Sequence, residues 1–493
     1  SVRAFLFREW KAASVFYLAP PREFRILLWM LLLGLISIIL FFGQTLPVAV
    51  DEAGLYMTYT RRSPLIVLSF YAGPTNHVLH SFLTSLTYYL PFGATTNLRL
   101  PNLFIALLAF LCIYRAFSTF VSRHAALGAA LAFSLSYFPL NYSIQARGYE
   151  LFVFCTLLLV WAAARFLDTQ KDRYLIWMGV ATVAGTSTIP TFLYPYFIVQ
   201  SYCALFLLSA RTPRFIIQKF ILANMAAGIS VLLVYSPIIL FNGLGAITHN
   251  YNVVPIPRTE VMQGLFPLFA RAFGDAIGIS QPFLGWSLFV AVPVLLLGRA
   301  LRLRAQGRSY HFLALTLALV AVSPALLFIQ SVLPPTRVFI YYTLPIAAAF
   351  ATVVHFIFQK VSLSTKPLGL ALALMAMILV THFRAQHAIR NDYEYCLHQS
   401  LRQIHYDRVQ SISSDYVNLG DLANYHAVVS SRDQKRLITM RFHQNDPDFL
   451  KSDLVIFSQG GASALATHVP LHFDSCQMEI GIAKDRYVAL TEK

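Results

Sequence analysis

The sequence predicts an α-helical polytopic membrane protein of about eleven spans, carrying a small C-terminal extracytoplasmic α/β domain. Three observations lead there. Of 493 residues, 57% are hydrophobic and only 12% charged, with a mean hydropathy of +0.60; a soluble globular protein carries roughly 25% charged residues. Apolar runs near the ~20 residues needed to cross a bilayer recur along most of the chain. After about residue 384 the composition turns polar, and the remaining stretch has the size of one small domain.

The runs fall at about 24–44, 100–120, 124–140, 149–167, 174–190, 192–210, 216–241, 282–299, 311–332, 336–357 and 367–383. Only Pro190 and its neighbours divide the fifth from the sixth. No small-residue cleavage site follows the first run, so it is expected to remain as a span. The chain then divides into a membrane part, 1–383, and a tail, 384–493, with long outer loops at 45–99 and 242–281.

The formal net charge is +16. In a soluble protein that would suggest nucleic acid, but no nucleic-acid-binding module is present. The cations sit instead in alternate short loops. One set holds Arg3, Arg8, Lys11, Arg22, Arg25, Arg115, Arg123, Arg165, Lys171 and Arg173, followed by Arg211, Arg214, Lys219, Arg299, Arg302, Arg304, Arg308, Lys360 and Lys366. The other set, before the tail, holds only Arg61, Arg62, Arg99, Arg147, Arg258, Arg271 and Arg337. Positive-inside bias therefore predicts a cytoplasmic N-terminus and, with an odd number of spans, an extracytoplasmic tail.

Among five cysteines, Cys112, Cys155 and Cys203 fall inside apolar runs, where a thiol acts as a small hydrophobe. Cys396 and Cys476 lie in the tail and would be free to pair in an oxidising compartment. In the first outer loop, Asn76 to Leu90 reads as a helix ended by Pro91-Phe92-Gly93, apolar enough to lie along the membrane surface. Pro255 and Pro257 break the second outer loop early. In the tail, Asp453–Phe457 and Tyr487–Leu490 read as short strands.

Acidic residues on the outer side before the tail are few: Asp51, Glu52, Glu150, Glu260 and Asp275. Asp51 and Glu52 are adjacent and directly follow the first span. A carboxylate pair at the mouth of a span is costly unless something pairs or uses it; the plainer role is to cap the next short helix. Further outer signals follow in order. They are Tyr56, then Asn76-His77-Val78-Leu79-His80, then Asn97-Leu98-Arg99-Leu100-Pro101. Next comes Ser143-Ile144-Gln145-Ala146-Arg147-Gly148-Tyr149-Glu150, and finally Pro334-Pro335-Thr336-Arg337.

On these residues the chain resembles bacterial GT-C glycosyltransferases of the protein-mannosyltransferase and aminoarabinose-transferase type. They share a carboxylate-bearing loop after span one, an Asn-His-x-Leu helix, an Arg-Leu-Pro entry to span two and a Ser-Gln-x-Ala-Arg-x-Tyr turn. The turn here departs by one residue inserted in the Ser-Gln step. The resemblance covers residues 20–170 well and 330–350 loosely, and reaches the tail only by position. It implies a GT-C-like fold in the cytoplasmic (inner) membrane and an inverting transfer of a sugar from a polyprenyl-phosphate carrier. The acceptor, a glycan, lipid or protein, is not identified.

That chemistry asks for a general base at the acceptor hydroxyl and cations on the departing phosphate. Asp51 is expected as the base with Glu52 in support, or the two exchanged, since neighbours in an extended segment point opposite ways. Arg147 and Arg337 are expected on the phosphate, whose oxygens an Arg fork matches; the plainer reading is an interfacial Arg that snorkels. Tyr56, Asn76, His77, Gln145 and Glu150 are expected as sugar or acceptor contacts, though Glu150 at i+3 from Arg147 would also pair with it. His80 is expected to pack. No cofactor is required; a divalent metal held by Asp51 and His77 is the lesser alternative. A scaffold subunit that kept the architecture, or a transporter, are the competing functions. The near absence of acidic residues within the spans argues against the transporter.

Overall fold

A computed structural model describes residues 2–73, 76–248, 253–360 and 365–391. In the tail it describes isolated positions from 395 to 406, then 409–414, 417–430, 439–441, 451–457, 468–473 and 478–483. Cys396, Cys476 and the strand expected at Tyr487–Leu490 lie outside the described residues.

The chain opens with α1 (Val2–Leu18) and α2 (Arg22–Thr45). Its first outer loop holds α3 (Val50–Leu55), which runs into a π-helical turn at Tyr56–Thr60, then α4 (Pro64–Ser69) and α5 (Val78–Thr87). The bundle continues with α6 (Ala94–Phe117), α7 (Arg123–Leu135), α8 (Tyr137–Ile144), α9 (Tyr149–Thr169) and α10 (Asp172–Thr188). Next are α11 (Leu193–Ser209), α12 (Arg214–Asn242), α13 (Gly245–Thr248) and α14 (Arg258–Ile277). It closes with α15 (Pro282–Ala305), α16 (His311–Gln330), a 3-10 turn at Thr336–Tyr342, α17 (Thr343–Lys360) and α18 (Thr365–Arg390). Proline sets several starts: Pro21, Pro213 and Pro257 cap α2, α12 and α14, and Pro282 opens α15. Its missing N–H costs nothing there, because the first N–H groups of a helix have no internal partner.

Every one of the eleven apolar runs is helical. Among the described residues, nine helices are long and apolar enough to cross a membrane. The two that fall short are α7 and α10. α7 has 13 residues, about 20 Å of helix, because Ser136 turns extended (φ −68°, ψ 158°) before the chain restarts as α8. α10 has 17 residues and stops before Pro190, which opens a 3-10 turn leading into α11.

Two outer segments differ from expectation. The first-loop helix starts at Val78 rather than Asn76 and ends at Thr87, and its polar face is turned into the protein. His80, Ser81, Thr84 and Ser85 are buried, while Leu86 is 48% exposed. Thr84 Oγ1 meets Thr60 Oγ1 at 2.9 Å, so the polar face is spent on the π-helical turn. The second outer loop contains the 20-residue α14, which the two early prolines and internal Pro267 hid.

The tail forms a five-stranded sheet of order β2-β1-β3-β5-β4. The strands are β1 (Ser411–Ser414), β2 (Thr439–Arg441), β3 (Leu454–Phe457), β4 (His468–Phe473) and β5 (Met478–Ala483). β1 pairs in parallel with β2 and β3, and β5 pairs antiparallel with β3 and β4. The crossover from β1 to β2 is α19 (Val417–Ser430), which packs against α3. One apolar core fills the helix bundle. A second joins Leu55, Tyr56, Leu98 and Ala146 to Leu401, Ile412, Leu422 and Tyr425 of the tail. This contact places the first outer loop and the tail on the same side of the bilayer. An even number of crossings after α2 is what that requires, and eight of the nine long helices follow α2.

Candidate functional site

Asp51 and Glu52 open α3, which continues a short bend after α2, and their fates differ. Glu52 is fully buried and saturated. Arg99 of α6 donates from Nε to Oε1 at 2.9 Å and from Nη2 to Oε2 at 2.7 Å. The Ala49 N–H donates to Oε2 at 2.9 Å, and the Ala146 N–H donates to Oε1 at 2.6 Å. Arg99 also donates to the carbonyls of Gly43, Leu46 and Pro47, at 2.7, 3.2 and 2.8 Å. Those carbonyls end α2 and would otherwise lack partners. The pair therefore knots the end of span one, the start of span two and the Gln145–Arg147 turn into one unit.

Asp51 keeps 28% of its side chain exposed and forms an ion pair with Arg147, which is 11% exposed. Arg147 also stands over the Tyr149 ring, 5.2 Å from its centroid. Its ion pair is with Asp51 rather than with Glu150, which is buried at the first turn of α9 with Oε2 lacking a hydrogen-bond partner among the described residues.

Asn102, fully buried in α6, shapes the turn that carries Arg147. Its Nδ2 donates to the carbonyls of Tyr142 at 2.8 Å, Arg147 at 3.0 Å and Gln145. That fixes the amide so that Oδ1 accepts from His80 Nε2 at 2.9 Å. His80 thus carries its proton on Nε2, and burial pushes its pKa down to about 4. His77 accepts the Gly148 N–H on Nδ1 at 2.7 Å, leaving Nε2 as the protonated nitrogen. Its pKa falls to about 3, chiefly from burial, with the neighbouring His80 and the charge of Arg337 lowering it further. Both imidazoles are neutral donors at any physiological pH. Gly148 is required by close approach: a Cβ there would stand 2.5 Å from Thr188 Cγ2 and 2.9 Å from His77 Cβ.

Arg337, in the 3-10 turn before α17, has no ion pair or hydrogen bond among the described residues. It is close enough to act electrostatically on both His77 and Tyr142. Tyr142 packs on Tyr149, with centroids 4.5 Å apart, and His77 meets Tyr149 edge-on at 5.1 Å. Asp51, Arg147, Tyr149, His77, Tyr142 and Arg337 thus form one continuous cluster.

The other expected contacts take structural positions. Asn76 donates to the Phe70 carbonyl at 3.1 Å, and Gln145 Nε2 donates to Asn141 Oδ1 at 3.2 Å. Tyr56 is fully buried, edge-on to Tyr425 of α19 at 5.1 Å. Asp51 commits its charge to Arg147, and His77 commits the Nδ1 lone pair to Gly148. Among the described residues, no three His, Cys, Asp or Glu side chains converge as a metal site.

Beside the cluster runs a lateral apolar groove of about 680 Å³, between α4 and α5 on one wall and α10 and α12 on the other. Val78, next to His77, lies at one end with Leu79 and Phe82. Along α10 the lining residues run from Ser187 to Leu175, about 18 Å of helix. Asn102 and the groove escaped the sequence reading. A lone Asn in an apolar span was the available signal, since such groups are expensive in a membrane and mark a use.

No protein-family model matches the chain, and no curated sequence matches it. Solved structures do. Two of ArnT from Cupriavidus metallidurans, one bound to undecaprenyl phosphate and one in the apo state, superpose with TM-scores of 0.55 and 0.52. Sequence identity is 12% in both, over 92% of this chain and 97% of the ArnT chain. Over most of its length, with nine helices long and apolar enough to cross a membrane among the described residues, the chain shares the fold of these ArnT structures.

Proposed function

We propose that the chain is an inverting glycosyltransferase that takes a sugar from a polyprenyl-phosphate carrier to an acceptor at the extracytoplasmic face of the cytoplasmic membrane. The observation that carries this reading is the partly exposed Asp51–Arg147 pair in one cluster with Arg337, which has no ion pair among the described residues, at the end of an apolar groove. A lipid phosphate needs guanidinium forks at its head and an apolar channel for its tail, and both are adjacent here. The ArnT structure of the same fold is bound to undecaprenyl phosphate. The cations clustered in alternate loops support a cytoplasmic N-terminus and put Asp51 outside.

In this mechanism the donor phosphate engages Arg337 and draws Arg147 away from Asp51. The freed carboxylate accepts the proton of the acceptor hydroxyl as its oxygen bonds to the anomeric carbon. The bond from that carbon to the phosphate oxygen breaks, and the electron pair leaves with the lipid phosphate, where both arginines stabilise it. The Nε2–H of His77 is the neutral donor at hand for the phosphate or a sugar hydroxyl. Glu52 and Asn102 act through others, by holding the Asp51 and Arg147 backbones.

The test is transfer in nanodiscs from radiolabelled polyprenyl-phosphate sugars to a membrane extract. Asp51→Asn is expected to lower turnover by roughly 10²–10⁴-fold with folding intact, and Arg337→Gln to weaken donor use. Unchanged turnover in Asp51→Asn overturns the base assignment. No transfer by folded wild type with any donor overturns the enzyme reading in favour of a scaffold.

A further inference from the structure

At the far end of α6 from Arg99, about 27 Å along the helix, a second group of guanidinium groups converges. Arg299 of α15 is 4% exposed, donates from Nη2 to the Phe120 carbonyl at 2.6 Å, and leaves Nε without a hydrogen-bond partner among the described residues. Arg299 and Arg302 both stand over the Phe356 ring of α17, each 5.5 Å from its centroid. Arg308, in the loop after α15, is near enough for its charge to act on Arg299 and on His355. His355 Nδ1 accepts the Ser122 N–H at 3.1 Å.

Nothing anionic balances this group. Among the described residues, none of Arg299, Arg302 and Arg308 is in an ion pair. Asp168, which meets the loop after α15, accepts a hydrogen bond from Ser309 Oγ at 2.6 Å and pairs with Arg165 at 3.8 Å. Two guanidinium groups over one ring with a third positive charge close by, and a buried N–H unspent among the described residues, are favourable only if an anion with several acceptor oxygens joins them. The flanks say how such an anion is delivered. Leu297 and Leu301 of α15 are 48% and 55% exposed, and Val353 and Ile357 of α17 are 40% and 52% exposed. Leu297 and Leu301 flank Arg299 on α15, and Val353 and Ile357 flank Phe356 on α17, with Leu297 and Val353 on the side toward the bilayer interior. Free phosphate would find no use for them, whereas acyl chains would cover them.

We propose that Arg299, Arg302 and Arg308 bind the phosphate of an anionic phospholipid, with its acyl chains along α15 and α17. The site lies at the opposite end of the bundle from Asp51. It fastens α15 and α17 to the α6–α7 turn at the face where the positive-inside pattern expects anionic lipid.

The test compares purified protein in nanodiscs of phosphatidylglycerol or phosphatidylcholine with the same acyl chains, with inorganic phosphate as a separate addition. Bound lipid is counted by native mass spectrometry after transfer to detergent. Wild type is expected to retain phosphatidylglycerol, and Arg302→Gln with Arg308→Gln to lower that retention on the order of tenfold. Both side chains are exposed, so the double variant is expected to keep the wild-type melting temperature in phosphatidylcholine. Should it not fold, Arg308→Gln alone reads the same retention. Equal retention by wild type and variant overturns the site. Stabilisation by inorganic phosphate that phosphatidylglycerol does not exceed assigns the arginines to a free anion and overturns the lipid.

Discussion

Arg99 grips Glu52 through two parallel hydrogen bonds, 2.9 Å from Nε and 2.7 Å from Nη2, with both side chains withdrawn from water. The neighbouring carboxylate, Asp51, meets a different arginine and keeps a face to solvent. Adjacent acids on one short helix are thereby given separate work, one structural and one open to chemistry.

That division predicts opposite responses. Removing one partner of a buried ion pair typically costs about 3–5 kcal/mol, so Glu52→Gln should lower the melting temperature and yield of folded protein. Asp51→Asn should leave both unchanged while lowering transfer by roughly 10²–10⁴-fold. Thermal unfolding beside the transfer assay separates them; a stable Glu52→Gln protein with no turnover would make Glu52 the base.

Gly148→Ala places a methyl group against Thr188 Cγ2 and His77. Relief requires the turn bearing Arg147 to shift, and overpacking of this kind costs roughly 1–3 kcal/mol. Turnover should fall more than stability, since the turn positions Arg147. Thr188→Ser removes the nearer obstacle and should restore part of the turnover in the double variant. No recovery would place the obstruction at His77 alone.

His77 and His80 have pKa values lowered to about 3 and about 4, so the unfolded chain binds more protons than the fold between those values and the ordinary 6.5. Their contribution to stability is therefore present above about pH 6.5 and lost as pH falls, by up to about 1.4 kcal/mol per unit per group. His80→Gln keeps a donor for Asn102 without a titrating ring. Its melting temperature should fall less than that of wild type between pH 6.5 and 4.5; parallel curves would refute the assignment.

Asp421 of α19 has the opposite sign. Burial raises its pKa from 3.8 to about 6, and its Oδ2 would be 3.3 Å from a Cβ on Gly54 of α3. The fold then holds the extra proton, so stability contributed by the protonated form declines as pH rises from about 4 through 6. Asp421→Asn should raise the melting temperature at pH 7 relative to wild type and leave the two alike near pH 4. Limited proteolysis of the tail offers an independent reading.

Much of this was legible in the sequence because a bilayer imposes a length and a polarity on each span. The eleven apolar runs are all helical, and the turn bearing Arg147 and the carboxylates after span one were visible as outer-side departures from apolar sequence. What could not be read was pairing across distance. Arg99 was noticed within its motif, yet its partner Glu52 lies 47 positions earlier, and no periodicity connects them. Likewise Asn76 and Tyr56 look like sugar contacts in one dimension, and only packing shows the first ending α4 and the second facing Tyr425. α14 was lost because its prolines resemble loop punctuation, though a proline before a helix is a start signal. The start of α5 is two residues later than the sequence suggested, and which residues its polar face would meet was not visible, because His80 pairs with Asn102 and Thr84 with Thr60, both more than 20 positions away.

The edge-on contact of Tyr56 with Tyr425 joins the first eighth of the chain to its last fifth. Synthesis runs in the other order of need: the loop bearing Asp51 leaves the ribosome early, while its covering helix is made only after the final span. A nascent chain would hold the carboxylate loop unfinished at the membrane until α19 arrives, and premature termination between residues 391 and 416 would release a protein with every span and no settled site. Maturation of the loop would then report that synthesis has passed the last span and α19.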